Sequence, residues 1–331
     1  MSLPDPAIVL DLIQAFRRSK TMFTAVRMGI FDQLQQGPAR AADLAAKIGA
    51  SVDGLERLLD GCAALGLLGK QEGLYCNQPV AERYLCAASP HTLRGYIGYS
   101  DEALYPMWGH LEDAVREGTP RWKQTFGIDG ANFSGFFRTP EAARDFLLGM
   151  HGYGMLSSPA VVAAFDLSRF HTIVDLGGAT GHLAMAACER YPGMRGVVFD
   201  LPQVVESVGT PHARVEFVAG NFFTGDLPEG DLYAMGRILH DWSDEQVRQL
   251  LSRLWQKLPP GGGVLVAEML LAEDGVGPVP ANMQSLSMLA IAEGHERSLS
   301  GYRRLLEEAG FTGVEGRRTG VPLDAVLGIK P

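Results

Sequence analysis

Hydrophobic and polar positions from Thr172 onward fall into short apolar runs separated by amphipathic stretches. Short apolar runs bounded by turn residues are typical of buried strands, and the amphipathic stretches between them are typical of helices. The predicted strands are Thr172–Leu176, Gly196–Asp200, Val215–Ala219, Leu232–Met235, Val264–Glu268, Val314–Arg317 and Ala325–Ile329. The clearest predicted helices are Asp244–Lys257 and Ser300–Ala309. The alternation predicts an α/β domain with a seven-stranded, mostly parallel sheet covered by helices on both faces. Because the last two strands follow one another closely, we expect one of them to run antiparallel.

The first part of the chain has a different pattern. Residues 6 to about 90 predict helices separated by glycine and proline breaks, followed by two short strands around Glu72-Gly73. This order is typical of a winged helix. Residues 91 to 165 predict an aromatic-rich helical connector, a few of whose rings line a pocket for a flat substrate. We therefore predict a winged-helix-like domain at 1–95, a connector at 96–165 and an α/β domain at 166–331.

Winged helices often bind DNA, but charge argues against that function here. The predicted second helix, Ser51 to Leu65, carries Asp53, Glu56 and Asp60 against Arg57. Phosphate repels such a surface, and a net charge of −9 over 331 residues argues against any general nucleic-acid binder. The apolar positions of the helix instead suit packing against protein, and part of this surface is predicted to be a subunit interface.

Composition and the N-terminal sequence predict in which cellular compartment the protein is found. The chain is 46% hydrophobic and 20% charged, which is ordinary for a globular protein, and no apolar run is long enough to span a bilayer. Asp5 and Asp11 stand where a signal peptide would be basic, so we expect a cytoplasmic protein without a membrane partner. The four cysteines form no CxxC pair, which argues against a disulfide framework or a structural zinc.

A glycine turn between the first two strands of the α/β domain indicates a nucleoside cofactor. Asp175 ends the first strand, Gly177, Gly178 and Gly181 form the turn, and Asp200 ends the second strand. Glycines let the backbone approach a ligand closely, and an acid at the second strand end can hold a ribose diol. Both NAD enzymes and S-adenosylmethionine enzymes use this arrangement.

Asp175, which precedes the glycine turn, favours S-adenosylmethionine over NAD. Asp175 is awkward beside a diphosphate but favourable beside a sulfonium or ammonium cation. The alternative is that Asp175 only accepts local backbone hydrogen bonds. After the third strand, Asn221 is suited to accept a hydrogen bond from the adenine amino group, and Phe222 to contact the face of the ring.

His240 follows the fourth strand, where reactive groups collect in doubly wound folds. Methyl transfer to a phenol or enol requires removal of the hydroxyl proton, and histidine is a good general base near neutral pH. Such a base needs an acid to orient its other nitrogen, for which Glu268 and Glu296 are the candidates. The alternative is a structural histidine. Asp244 is better explained as the start of a helix.

These motifs together resemble the acetylserotonin O-methyltransferase family, within the plant-and-animal-type small-molecule O-methyltransferases. The resemblance covers nearly the whole chain and is carried by YPMWGHLEDAVREGT, FDLSRF, VDLGGATG, VVFDLP, AGNFF, RILHDWSDE, GGGVLVAEMLL, MQSLSMLAIAEGHERS and LDAVLGIK. It implies an N-terminal winged-helix-like dimerisation domain, and hence a homodimer. It also implies a C-terminal Rossmann-like class I methyltransferase domain.

The resemblance also implies roles for individual residues. His240 would be the general base, flanked by Glu268 and Glu296. The cofactor S-adenosyl-L-methionine, and its product S-adenosyl-L-homocysteine, would contact Asp175, Gly177, Gly178, Asp200, Leu201, Asn221, Phe222 and Arg237. The substrate would contact Met150, Asp241, Ser287 and Ile291. No metal is expected.

The chain departs from the family pattern at four positions. Asn221 replaces an Asp, Ser287 and Ile291 replace an Asn and a Gln of acetylserotonin enzymes, and Gly154 replaces an aromatic residue. These changes argue against acetylserotonin as the acceptor and leave the reaction class unchanged. We therefore predict an O-methyltransferase acting on a small aromatic hydroxyl compound. The alternative is a non-catalytic S-adenosylmethionine-binding scaffold or regulator that kept the fold.

Overall fold

The computed structural model describes residues 4–129, 134–208 and 212–331. Within these residues the chain forms two compact units. The first comprises the residues up to Ala103 together with Arg144–Gly152, and the second comprises Leu104–Ala143 and Tyr153–Pro331. The domain boundaries near residues 95 and 165 stay predictions.

The first unit is helical with one small hairpin. Its elements are α1 (Ala7–Arg27), α2 (Ile30–Leu34), α3 (Ala41–Ile48), α4 (Val52–Ala64), β1 (Leu68–Gln71), β2 (Leu74–Asn77), α5 (Pro79–Tyr84) and α6 (Arg94–Tyr99). The Ser51 hydroxyl caps α4, and the β1–β2 turn places Glu72 and Gly73 at positive φ, as a tight hairpin turn requires. The chain thus has the helix and hairpin order expected of a winged helix. The core includes Phe31, Leu44, Leu59 and Tyr75.

Four further helices follow α6 in the described residues, three of them short. A π-helical turn at Ser100–Leu104 is followed by α7 (Tyr105–Trp108), α8 (Leu111–Glu117), α9 (Trp122–Phe126) and α10 (Pro140–Ala163). None of the helices in the described residues combines the length and the apolar character needed to cross a membrane.

Strands and helices then alternate through the rest of the second unit. The elements are β3 (Thr172–Leu176), α11 (His182–Arg190), β4 (Arg195–Asp200), α12 (Pro202–Ser207), β5 (Val215–Ala219), β6 (Leu232–Gly236), a 3-10 turn (Leu239–Asp241), α13 (Asp244–Lys257), β7 (Gly263–Glu268), α14 (Val279–Ile291), α15 (Leu299–Glu308), β8 (Thr312–Arg317) and β9 (Asp324–Ile329). Ser243 and Gln246 form a capping box that starts α13 at Asp244, as predicted.

The seven strands of this unit form one sheet in the order β5-β4-β3-β6-β7-β9-β8. Strands β3 to β7 pair in parallel, and β9 runs antiparallel to both of its neighbours. Two buried apolar clusters are built from the sheet and its helices. The predicted α/β class, the mostly parallel sheet and the single reversed strand are confirmed.

The strand order reverses between β3 and β6. After β3 the chain moves outward to β4 and β5 and then returns to place β6 on the other side of β3. In open α/β sheets, ligands bind in the crevice outside the carboxyl ends of the strands at such a point. The glycine turn after β3 and His240 after β6 are therefore on the two sides of this crevice.

Candidate active site

The glycine turn after β3 keeps the crevice open. A Cβ at Gly177, which has a φ of +64°, would lie 2.4 Å from Ile238 Cδ1 and 3.6 Å from Phe222. A Cβ at Gly178 would lie 2.6 Å from Asp175 Cγ. Larger residues would collide with the side chains that line the turn, so the backbone itself forms this wall.

Asp200 ties the glycine turn to the end of β4. Its Oδ2 accepts a hydrogen bond from Ala179 N at 2.8 Å, and its Oδ1 accepts one from Leu201 N at 2.7 Å. Burial raises the pKa of Asp200, and the two backbone N–H groups oppose that shift. The carboxylate is thus fixed at the mouth of the crevice, and each oxygen keeps a lone pair for a ligand hydroxyl.

Asp175 lies under the turn. Its side chain is buried, and Oδ2 accepts a hydrogen bond from Ala184 N, in the first turn of α11, at 3.2 Å. Burial raises its pKa to about 7, the N–H of Ala184 opposes the shift, and Asp200 adds to it. The local backbone contact foreseen as the alternative is present, and the role beside a cation stays a prediction.

Asn221 and Phe222 follow β5 at the next strand end. Asn221 is exposed, and its Oδ1 accepts a hydrogen bond from Phe223 N at 2.8 Å. That bond uses one lone pair of the amide oxygen predicted to meet adenine. Phe222 lies near Gly177 and edge-on to Trp242, with the ring centroids 6.3 Å apart.

Arg237 leaves β6 in a strained conformation. Its φ of 58° lies in the left-handed region, and its N–H donates to the carbonyl of Ala267 at 3.0 Å. The guanidinium lies 4.8 Å from the ring centroid of Tyr153. Non-glycine residues hold such conformations where the surroundings over-determine them, and these positions cluster at functional sites.

His240 is 2% exposed and has a carboxylate on each side of one ring nitrogen. Nδ1 lies 2.6 Å from Glu296 Oε1 and 3.3 Å from Glu268 Oε2. Nε2 lies 3.7 Å from Asp241 Oδ1. The shorter contact indicates that Nδ1 carries a proton and donates it in a hydrogen bond to Glu296. The lone pair of the neutral ring is then on Nε2.

Glu268 also holds the backbone that carries the histidine. Its Oε1 accepts N–H groups from Ile238 and Leu239, both at 2.9 Å, and from His240 at 3.4 Å. These donors begin the 3-10 turn Leu239–Asp241 and would otherwise be buried without a partner. Glu268 therefore fixes the main chain of His240 as well as one side of its ring.

Burial dominates the electrostatics of these acids. It raises the pKa of Glu296 against the opposing charges of Arg237 and Arg297, and it raises the pKa of Glu268 against the opposing charge of His240. Burial likewise raises the pKa of Asp241 to about 6. Carboxyls that resist ionisation alone ionise more readily when a positive charge forms beside them, so the group is suited to stabilise an imidazolium.

The same three side chains have the composition of a metal site. One ligand atom from each of His240, Glu268 and Glu296 lies within 4.8 Å of the others. Among the described residues, Oε2 of each glutamate accepts no hydrogen bond. The short Nδ1–Glu296 contact, however, is a hydrogen bond that an ion would have to replace. The expected absence of a metal stays a prediction.

Helix α14, which carries the two predicted acceptor-site residues Ser287 and Ile291, packs against the 3-10 turn that carries His240. Ser287 is buried, and its Oγ accepts a hydrogen bond from Trp108 Nε1 at 3.0 Å. Ile291 is also buried, and its carbonyl accepts one from Trp122 Nε1 at 2.8 Å. Two indoles therefore hold the end of α14.

Gly154 leaves room for His182, the first residue of α11. A Cβ at Gly154 would lie 2.3 Å from the His182 ring, whose Nδ1 is 2.8 Å from Ser158 Oγ. Any larger residue would displace this ring. Met150 lies on α10 among the residues of the first unit, and its predicted contact with substrate stays a prediction.

Two residues near the site, Arg297 and Trp108, were not predicted from the sequence. Arg297 follows Glu296 directly but is buried, and its guanidinium contacts the loop around His240. Trp108 was one aromatic residue among many in the connector. No local pattern marked Arg297 as buried, because it lies between α14 and α15 and follows no apolar run.

Comparison with known proteins identifies the family. Residues 108–312 match the O-methyltransferase domain model, and residues 10–87 match the O-methyltransferase dimerisation domain model. The chain belongs to the acetylserotonin O-methyltransferase family of S-adenosylmethionine-dependent small-molecule O-methyltransferases. It is thus an enzyme of the O-methyltransferase class with a dimerisation domain.

Three relatives illustrate the similarity. The chain is 41% identical to the acetylserotonin O-methyltransferase of Gallus gallus, over 98% of this chain and 97% of the relative. It is also 41% identical to a probable bifunctional dTTP/UTP pyrophosphatase/methyltransferase protein of Homo sapiens, over 99% of this chain but only 54% of that relative's length. The crystal structure of human N-acetylserotonin methyltransferase in complex with S-adenosylmethionine has a TM-score of 0.95 at 37% identity, covering 100% of this chain and 99% of that one.

Proposed function

We propose that this protein transfers a methyl group from S-adenosylmethionine to the hydroxyl of a small aromatic molecule, with His240 as the general base. The observation that carries the proposal is the buried pairing of His240 Nδ1 with Glu296 at 2.6 Å. That pairing leaves the Nε2 lone pair as the proton acceptor. A structural histidine would be satisfied by one carboxylate, whereas this ring has Glu268 at 3.3 Å as well.

The residues of the crevice suit the cofactor. The narrow turn at Gly177 admits a ligand against the backbone, and Asp200 keeps carboxylate lone pairs at the strand end. In their ionised form Asp175 and Asp241 add negative potential, which suits a cationic ligand. S-adenosylmethionine supplies an electrophilic methyl group when bound. We assign Leu201, Asn221, Phe222 and Arg237 to the same ligand.

The protein's own chemistry is removal of a proton. The acceptor hydroxyl gives its proton to Nε2 of His240, and the oxygen keeps the electron pair with which it attacks the methyl carbon. The imidazolium that forms is stabilised by Glu296 and Glu268 through Nδ1. A positioned general base of this kind accelerates a reaction by about 10² to 10⁴-fold.

The acceptor is proposed to bind between the His240 turn and α14. Asp241, Ser287 and Ile291 come from these two elements, and the Trp108 indole is hydrogen-bonded to Ser287. Buried, mostly apolar surroundings with a few polar atoms favour a flat aromatic compound. Because the Ser287 hydroxyl already accepts the Trp108 N–H, it offers less polar capacity than the amide that acetylserotonin enzymes carry there.

The dimerisation domain supports a homodimer as the working form. The first half of helix α1 exposes large apolar side chains, namely Ile8, Val9, Leu10, Leu12, Ile13 and Phe16. An exposed apolar surface of this kind is typical of one that another protein covers. We propose that a second copy of the chain covers it.

The test compares wild-type protein with His240→Ala and His240→Gln. Methyl transfer from labelled S-adenosylmethionine is measured against hydroxyindoles, flavonoids and hydroxyquinones, and cofactor affinity is measured by calorimetry. We expect kcat to fall by at least about 10²-fold with unchanged cofactor affinity. His171→Gln is the matched control, because it alters an exposed histidine paired with a carboxylate, Asp231, away from the crevice.

Three outcomes would decide against parts of the proposal. Full turnover by both His240 variants would exclude His240 as the base. Cofactor binding by the wild type without transfer to any acceptor would favour a non-catalytic scaffold. Loss of activity after chelator treatment, with recovery on adding a divalent cation, would show that activity requires a metal, for which His240, Glu268 and Glu296 are the candidate ligands.

A further inference from the structure

We infer that Arg297 is a positioning residue of the active site, because it fixes the backbone on both sides of His240. The inference rests on the proposed function, in which His240 is the general base. In the described residues the hydrogen bonds of Arg297 go to backbone carbonyls and to Asp244, and none goes to the imidazole of His240. It acts through the main chain of the loop that presents the base.

The guanidinium of Arg297 reaches two carbonyls of that loop. Nη1 donates to Leu239 O at 2.9 Å, and Nη2 donates to Trp242 O at 2.9 Å. These carbonyls bracket His240 and Asp241. The N–H groups at the start of the same loop are held by Glu268. Glu268 therefore holds the N–H groups of the loop, and Arg297 holds its carbonyl groups.

Arg297 is in turn fixed from the other side. Its Nε and Nη2 contact Asp244 Oδ1 at 2.9 and 2.8 Å, at the start of α13. Burial favours the neutral acid at Asp244, but Arg297, His295 and Arg304 hold its pKa below the usual range. A carboxylate and a guanidinium thus form a charged, hydrogen-bonded pair, which is stronger than a neutral contact.

The segment before Arg297 fits the loop closely. A Cβ at Gly294 would lie 2.3 Å from His240 O and 2.6 Å from Trp242 N. Only glycine permits this approach, and it brings Glu296 and Arg297 to the loop together. Glu296 then meets the ring of His240 while Arg297 meets its backbone. One short segment thereby sets both the orientation of the imidazole and the position of its main chain.

The planar shape of the guanidinium is what this role requires. Its N–H donors point in fixed directions in one plane, so a single group can hold two carbonyls and a carboxylate at once. Lysine carries the same charge on a flexible stem and cannot reproduce that geometry. Arg297→Lys should therefore keep the charge beside Glu296 while releasing the loop.

The experiment compares Arg297→Lys with Arg304→Lys. Arg304 also pairs with Asp244, at 3.0 Å from Oδ2, but its side chain is 57% exposed, and in the described residues it does not contact the loop carbonyls. We expect Arg297→Lys to lower kcat on the order of 10 to 100-fold, because small misplacements of a catalytic group are costly. Cofactor affinity and the pH midpoint of kcat should stay at wild-type values. Arg304→Lys should behave as the wild type.

Activity is expressed per cofactor-binding site, so that a loss of folded protein does not count as a loss of kcat. Arg297→Met, which removes the charge as well, should be at least as impaired. Wild-type kcat per site in Arg297→Lys would overturn the inference. A shift of the pH midpoint of kcat without a change in its maximal value would also overturn the inference, because that result would assign Arg297 an electrostatic role. Failure of the proposed function is distinct, since it would appear as full activity in His240→Ala.

Discussion

Replacing Asp175 by Asn should remove a loss of stability that the wild type suffers as the pH rises. The variant should therefore gain stability relative to the wild type at higher pH. The wild-type carboxyl has a pKa of about 7 in the folded protein, raised by burial from 3.8. The folded state therefore binds a proton that the unfolded state has released, and stability falls as pH rises through this interval. The whole shift corresponds to about 4 kcal/mol. The part between about pH 5 and pH 8 corresponds to about 2 to 3 kcal/mol.

Urea unfolding of both proteins without cofactor at several pH values measures this difference. Asn keeps an oxygen that can accept the Ala184 N–H, so the capping contact is retained and the ionisation is lost. The free energy of unfolding of Asp175→Asn minus that of the wild type should increase by about 2 to 3 kcal/mol between about pH 5 and pH 8. Asp231→Asn provides the baseline, because Asp231 also accepts backbone N–H groups but is 25% exposed. A difference that does not change with pH would refute the reasoning.

Cofactor binding then separates the two interpretations of Asp175. If the ionised carboxylate favours a bound cation, wild-type affinity for S-adenosylmethionine should rise with pH through about 7, and this rise should be absent in Asp175→Asn. Calorimetric titrations at the same pH values measure it. Identical pH dependence in the two proteins would leave Asp175 as a helix cap only.

Two further substitutions test the base and the acceptor site. Glu296→Gln removes the charge that stabilises the imidazolium of His240. Steady-state kinetics should show kcat lowered by roughly 10²-fold or more at unchanged cofactor affinity. An unchanged kcat would show that Glu268 alone is enough to stabilise the imidazolium. Ser287→Ala leaves the partly buried Trp108 N–H without its acceptor, and urea unfolding should show a loss of about 1 to 3 kcal/mol. Ser287→Thr keeps the hydroxyl and is the control, and equal stability of the Ala and Thr variants would contradict the assignment.

Much of the fold could be predicted from local pattern. The apolar runs located all seven strands of the sheet, most clearly β3, β6 and β7, because strands buried on both faces are almost continuously hydrophobic. The short connection before Asp324 indicated one reversed strand. The insertion of β9 between β7 and β8 could not be predicted, because pairing partners depend on the packing of the whole sheet.

The site could be predicted only where its residues follow strand ends. Asp200, Asn221 and His240 come directly after apolar runs, so topology brings them to one crevice. Glu296 lies 56 residues beyond His240 and follows no strand, and only the family resemblance pointed to it strongly. The role of Asp175 depends on the direction of its carboxylate, and that of Arg297 on its burial. Neither quantity is encoded in a local pattern.

The reversed last strand has a consequence for the order of assembly. β9 supplies the hydrogen-bonding partner of β7 along Gly263–Glu268, and Glu268 pairs in register with Asp324. Until synthesis has passed residue 329, one whole edge of β7 lacks its neighbour, and the strand carrying Glu268 is a boundary of the sheet. The His240 loop therefore cannot acquire its final support before β9 is available to pair with β7. A nascent chain should remain without methyl-transfer activity until this final pairing closes the sheet.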